Sequence, residues 1–255
     1  MTCVSSSNSK LSLNAVFTQL CTFYLLAIAV QVIGRFLVSR VSENEIIIDI
    51  GENTAALLLV IRGLSYFGIW GEIGWFTTAK WKSFPVFLVP ALYIVLNFNG
   101  AYGHDLSTVL QAALNTVISA SFEELLCRLI ALHLLIHGFT AQGNKRPILC
   151  AVLTSSLLFG FAHFTNLLNQ PEALGAIIGQ MIYASFIGIG FAACYIVTKS
   201  IVPLIVIHAS INFVSFLGES KIEPPALTFE DTLGTVIVCF PLLLLGLWLL
   251  RHEPK

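Results

Sequence analysis

Seven polar or aromatic side chains sit where apolar sequence surrounds them, and their types and spacing allow acid–base chemistry. In the string SFEELLCRL, Glu123 and Glu124 are adjacent and Arg128 follows Glu124 by four residues. At 100° per residue on a helix, Glu124 and Arg128 lie about 40° apart on one face, whereas Glu123 points about 100° away. Arg128 can therefore neutralise Glu124, leaving Glu123 unpaired and free to accept a proton as a general base. In LLFGFAHFTN, Phe159 and His163 share a helical face, and in VIHASINF His208 and Asn212 do the same. An imidazole and a carboxamide on one face offer hydrogen-bond donors to a developing oxyanion. A satisfied interhelical hydrogen bond would explain any one of these histidines, but not three such constellations together.

The elements that position these groups must be membrane helices. Of 255 residues, 56% are hydrophobic and only 11% charged, with mean hydropathy +0.86; soluble domains carry about 25% charged residues. Composition excludes a soluble enzyme, a disordered chain and a disulfide-stapled secreted fold. The net charge of −1 provides no basic field for nucleic acid. The six cysteines are far apart without a CxxC pair, and read as small buried hydrophobes.

Runs of about 20 apolar residues, enough to cross the hydrocarbon, predict eight spans: Leu13–Gly34, Thr54–Phe76, Phe84–Phe98, Leu106–His137, Pro147–Leu168, Ala173–Val197, Ile201–Leu217 and Thr232–Leu250. Long unalternating runs fit helices, not the dyad pattern of barrel strands. The expectation is an all-α polytopic protein, one integral domain over 1–255, with its motifs in 106–217. The first run is too long for a signal-peptide core and reads as a retained helix. Lys10, Lys80, Lys82, Lys145, Arg146, Lys199, Arg251 and Lys255 fall on one side of this topology, and Arg35, Arg40 and Lys221 on the other. The excess places both termini in the cytoplasm, and the compact form suggests a bacterial cytoplasmic membrane. Trp75 and Trp81 read as an interfacial belt, and Gly175 with Gly179 as a close helix-packing face. The acidic stretch from Glu43 to Glu52 reads as a solvated loop.

An ionised group or imidazole inside a span costs at least about 2–3 kcal/mol and marks a site by default. E-E-x-x-x-R (Glu123, Glu124, Arg128), F-x-x-x-H (Phe159, His163) and H-x-x-x-N (His208, Asn212), in this order, resemble the three motifs of the CAAX protease and bacteriocin-processing family. This is the Abi group, which includes the Ras converting enzyme. The resemblance covers Leu106 to Leu217 and implies an intramembrane endopeptidase of the glutamate type, acting on a small membrane-associated protein or peptide, either of CAAX type or a leader or pheromone precursor. It implies that Glu123 activates the attacking water, that His163 holds and polarises it, and that His208 and Asn212 stabilise the oxyanion. Glu124 and Arg128 would support the site, and Phe159 would pack beside His163 without doing chemistry.

No cofactor is required by this mechanism, although zinc held by Glu123, His163 and His208 is chemically admissible. A proton-coupled transporter and a non-catalytic immunity or scaffold protein on the same fold are the alternatives. His133 and His137, four apart, invite a metal reading, but interfacial histidines explain them. Arg62 would pair with Glu72 or a backbone carbonyl, or meet a substrate carboxylate, and Cys127 could in principle supply a thiolate. Helical rise places Glu123 about 21 Å from His137, His163 about 26 Å from Arg146 and His208 about 10 Å from Ile201. These depths do not agree with a site opening to the cytoplasm under the charge-based topology.

Overall fold

The computed structural model describes residues 12–75, 84–98, 103–168, 170–218 and 228–251, and these form helices and connecting turns without a strand. In chain order the helices are α1 (Leu13–Ser39), α2 (Glu45–Tyr66), α3 (Leu88–Leu96), α4 (Leu106–Glu124), α5 (Leu132–Ala141), α6 (Pro147–Ala162), α7 (Leu174–Thr198), α8 (Val202–Leu217) and α9 (Phe229–Leu250). Between α4 and α5 the chain does not break. Leu125–Ala131 continue the helix with π geometry, so that Leu106–Ala141 is one 36-residue element.

Five helical elements are long and apolar enough to cross a bilayer: Leu13–Ser39, Leu106–Ala141, Pro147–Leu168, Pro171–Thr198 and Thr232–Leu250. The expected eight spans are therefore not all present as such. The third and seventh runs form shorter apolar helices, Phe84–Leu96 and Val202–Leu217. The 16 residues of α8 reach about 24 Å, short of the roughly 30 Å hydrocarbon. The second run is displaced: α2 begins nine residues before Thr54 and ends at Tyr66.

That displacement corrects the acidic loop. Asn44 caps α2, its side chain accepting from the Ile46 and Ile47 amides, and Glu45, Asp49 and Glu52 fall on one helical face. They converge on Arg35 of α1 at 2.6, 2.8 and 3.4 Å. A neighbouring polar seam runs from Gln31 through Asn53 to Asn115, joining α1, α2 and α4.

Two elements form the centre. All seven residues of the π segment are buried, as is most of the second half of α7 from Gly188 to Thr198. Small residues let neighbours approach α7 closely. A Cβ on Gly179 would strike Thr232 of α9, and one on Gly188 would lie 2.9 Å from Ser156 of α6. The packing role read for Gly175 and Gly179 is thus realised against α9. Around this core, α1 and α9 carry apolar side chains such as Leu25, Ile33, Ile237 and Trp248 outward, exposed as lipid-facing residues are. Trp75 is exposed beside Trp70; Trp81, Lys10, Lys80, Lys82, Lys221 and Lys255 lie outside the described residues.

Candidate active site

The chain enters α4 under the cap of Asp105, whose carboxylate accepts from the Thr108 amide at 3.0 Å and from its hydroxyl at 2.8 Å. Both bonds favour the ionised form, so the Asp105 carboxyl is held below its ordinary value. From there the helix delivers Glu123 and Glu124 immediately before the π segment. A π turn inside a long helix is a common mark of a functional site, since it re-aims the side chains on either side.

The two adjacent acids have different surroundings. Glu124 is fully buried and ion-paired with fully buried Arg128, Nε to Oε2 at 3.1 Å and Nη2 to Oε1 at 3.3 Å. Glu123 retains about a quarter of its side-chain exposure and borders a cavity of about 790 Å³. The pairing expected from the four-residue spacing is made, and Glu123 faces elsewhere.

Glu124 also reaches a second partner that the sequence did not indicate. His208, near the middle of α8, places Nδ1 3.0 Å from Glu124 Oε1. Beside a carboxylate this nitrogen is the donor, which fixes the tautomer and turns Nε2 away from Glu124. Nε2 lies 3.6 Å from Glu123 Oε2, too far for a direct hydrogen bond. Arg128, Glu124 and His208 thus form a buried relay from one helix to another that ends at Glu123 and the cavity.

Phe159 sits among these groups. Its ring is 5.3 Å from that of His163, 6.3 Å edge-on from His208, and 5.0 Å from the guanidinium carbon of Arg128. Arg128 Nη1 makes no hydrogen bond among the described residues, so the π face of Phe159 is a principal neighbour of the buried charge. This is a wider role than packing beside His163. Phe191 of α7 closes the other side of His208 at 6.0 Å, also edge-on.

His163 occurs where α6 gives way to the 3₁₀ turn His163–Leu168. That change of pitch lets His163 and Asn166 both line the cavity. Asn212, one turn beyond His208, lines it too. So Glu123, Phe159, His163, His208 and Asn212 share one cavity, with Glu124 and Arg128 behind it. The wall also includes residues the motifs did not include. Asn97 donates to the Ile211 carbonyl at 2.9 Å, Asn166 donates to Gln180 at 2.9 Å, and Tyr93 donates to the Val238 carbonyl at 2.7 Å. Their only sequence signal is a polar side chain in or at the edge of an apolar run.

The cavity is walled by the C-terminal parts of α3, α4, α6 and α8, by residues 180–191 of α7 and by the first half of α9. The remaining candidates fall outside it. Arg62 is exposed, and Glu72 pairs with His133, at 3.4 Å, rather than with Arg62. Cys127 is buried against the Tyr24 hydroxyl at 3.3 Å and does not line the cavity.

Comparison with known protein families gives a match over the motif-bearing segment. Residues 105–214 match the family described as type II CAAX prenyl endopeptidase Rce1-like. The match spans the segment that carries all three motifs and bears out the resemblance they suggested. No curated protein and no solved structure matches the chain.

Proposed function

We propose that this integral membrane protein, whose motif-bearing core matches a protease family, is an intramembrane endopeptidase that cleaves a CAAX-type membrane-associated protein or peptide by direct attack of water. The observation that carries the reading is one carboxylate, Glu123, left partly exposed in a cavity while its neighbour Glu124 is committed to Arg128 and His208.

In this mechanism a water held between Glu123 and His163 loses a proton to Glu123 as its oxygen bonds to the scissile carbonyl carbon. The carbonyl oxygen becomes an oxyanion, stabilised by the Asn212 carboxamide and by His208 Nε2 when the ring is protonated, with Glu124 balancing the imidazolium charge. Collapse of the tetrahedral intermediate breaks the C–N bond, and Glu123 returns its proton to the departing amine. No acyl-enzyme forms and no step calls on a metal. The apolar part of the wall, including Leu96, Ile187 and Val238, suits a substrate delivered from the lipid.

The test is purified protein in detergent or liposomes with prenylated and unprenylated C-terminal peptides, products being read by mass spectrometry. Glu123→Gln keeps shape and volume and should abolish cleavage while the protein still inserts and melts as wild type does. Full activity in that variant would remove Glu123 as the base. Cleavage confined to leader or pheromone-precursor peptides would keep the chemistry but replace the substrate.

A further inference from the structure

Outside the cavity, one cluster of ligand-type side chains is assembled from distant parts of the chain. Glu72 ends a 3₁₀ turn, Trp70–Glu72, shortly after α2. His133 and His137 are one turn apart on α5. Donor atoms of the three all lie within 4.8 Å of one another, with His133 Nδ1 3.4 Å from Glu72 Oε2 and the imidazole centroids 4.5 Å apart. Zinc bound tetrahedrally at about 2.0–2.1 Å sets its ligand atoms roughly 3.4 Å apart. The histidine–glutamate separation already has that value. Glu72 and His137 are exposed and His133 half-buried, so the cluster is open on one side and leaves a fourth position for water.

We infer that Glu72, His133 and His137 form a binding site for a divalent transition metal of the zinc class, separate from the proteolytic cavity. His133 stands ten residues beyond Glu123, about 15 Å along the helix. The segment that carries Glu72 is fixed at both ends. The Ile69 amide donates to the Leu64 carbonyl at 2.9 Å, and the Gly74 and Trp75 carbonyls accept from the Ile201 and Val202 amides at 2.8 and 3.1 Å. A metal at Glu72 thus ties α5, the continuation of the helix bearing Glu123, to the segment that caps α8, the helix bearing His208 and Asn212. Its role is to lock the two helices together; it takes no part in the hydrolysis.

The test uses the full-length chain in detergent, stripped with a chelator and then titrated with Zn²⁺, or with Co²⁺ as a visible spectroscopic probe. Wild type should bind one equivalent, give the absorption of four-coordinate cobalt, and melt at a higher temperature with the metal than without it. His137→Ala and Glu72→Gln, both at exposed positions, should each weaken binding by more than about 100-fold, since loss of a direct ligand exceeds the 10–100-fold cost of losing its supporting partner. Glu123→Gln should bind as wild type does. The site is refuted if wild type takes up no stoichiometric metal, or if both ligand variants keep wild-type affinity. It is refuted equally if Glu123→Gln removes the binding, because the ion would then belong to the proteolytic cavity.

Discussion

Replacing Glu124 by Gln separates two roles that one carboxylate performs. The substitution preserves shape but removes a charge that touches Arg128 at 3.1 and 3.3 Å and His208 at 3.0 Å, all within a fully buried cluster. Breaking a buried pair on one side leaves an uncompensated charge and costs about 3–5 kcal/mol. The face of Phe159, 5.0 Å from the guanidinium, offsets at most about 2 kcal/mol of that, so a net loss of roughly 1–5 kcal/mol is expected. Removing both charges in Glu124→Gln/Arg128→Met should restore the melting temperature, because a buried pair exchanged for well-packed neutral side chains is often neutral or stabilising. Activity should not return with it. Without the carboxylate, nothing fixes the proton on His208 Nδ1, and the amide can hold the wrong tautomer; the comparable loss behind the serine-protease histidine is about 10⁴-fold in kcat. Thermal denaturation in detergent and single-turnover peptide cleavage on the three proteins read the two effects apart. A double variant that regains both stability and wild-type cleavage would refute the relay and reduce Glu124 to a counter-ion.

Two further outcomes follow from the framework around the site. A Cβ on Gly74 would strike the Lys199 carbonyl, so Gly74→Ala should dislodge the segment that caps α8, lowering stability by about 1–3 kcal/mol and depressing cleavage; unchanged melting and turnover would show the contact to be unimportant. Asp105 has a carboxyl held below its ordinary 3.8, so its contribution is present above that value and lost as pH falls through the lower, folded one. The melting difference between wild type and Asp105→Ala should accordingly be constant near neutrality and close below about pH 4, and a difference that widened on acidification would contradict the cap.

How much the sequence revealed depended on how local each feature is. The three motifs declare themselves because ionisable groups in apolar runs are costly, and four-residue spacing assigns a shared face without further information. The Glu124–Arg128 pair needs nothing more. The Glu124–His208 bond joins residues 84 apart, and no periodicity reports which helices will be neighbours. The π segment is equally silent: LLCRLIA is apolar almost throughout, so it carries no stripe whose period could reveal an extra residue per turn. The start of α2 is legible in the sequence. Asn44 followed by Glu45 is a helix-start signal, and Glu45, Asp49 and Glu52 recur at helical spacing. A hydropathy reading discards such residues as loop because it asks only what can cross lipid. Runs of 13–17 residues are ambiguous for a related reason, since apolar composition does not distinguish a short helix buried in protein from one that spans.

The short length of α8 is itself part of how the site is built. A helix that does not cross the bilayer must begin or end at a depth where water is scarce, and its terminal amides then need partners within the protein. At the start of α8 the Ile201 and Val202 amides find them in the Gly74 and Trp75 carbonyls, while Pro203 brings no amide to satisfy. At the other end α8 brings His208 and Asn212 to the cavity with only one turn of helix beyond Asn212. The opposing groups, Glu123 and Glu124, come from the middle of a 36-residue element whose π segment is enclosed on every side. In the proposed mechanism the base stands beside a wholly buried segment of the bundle, and the oxyanion donors on a short helix whose start is held by a seven-residue segment, Ile69–Trp75. The proposed direct attack of water would depend on the spacing between those two helices, and Glu124 bridges them by holding Arg128 on its own helix and His208 on the other.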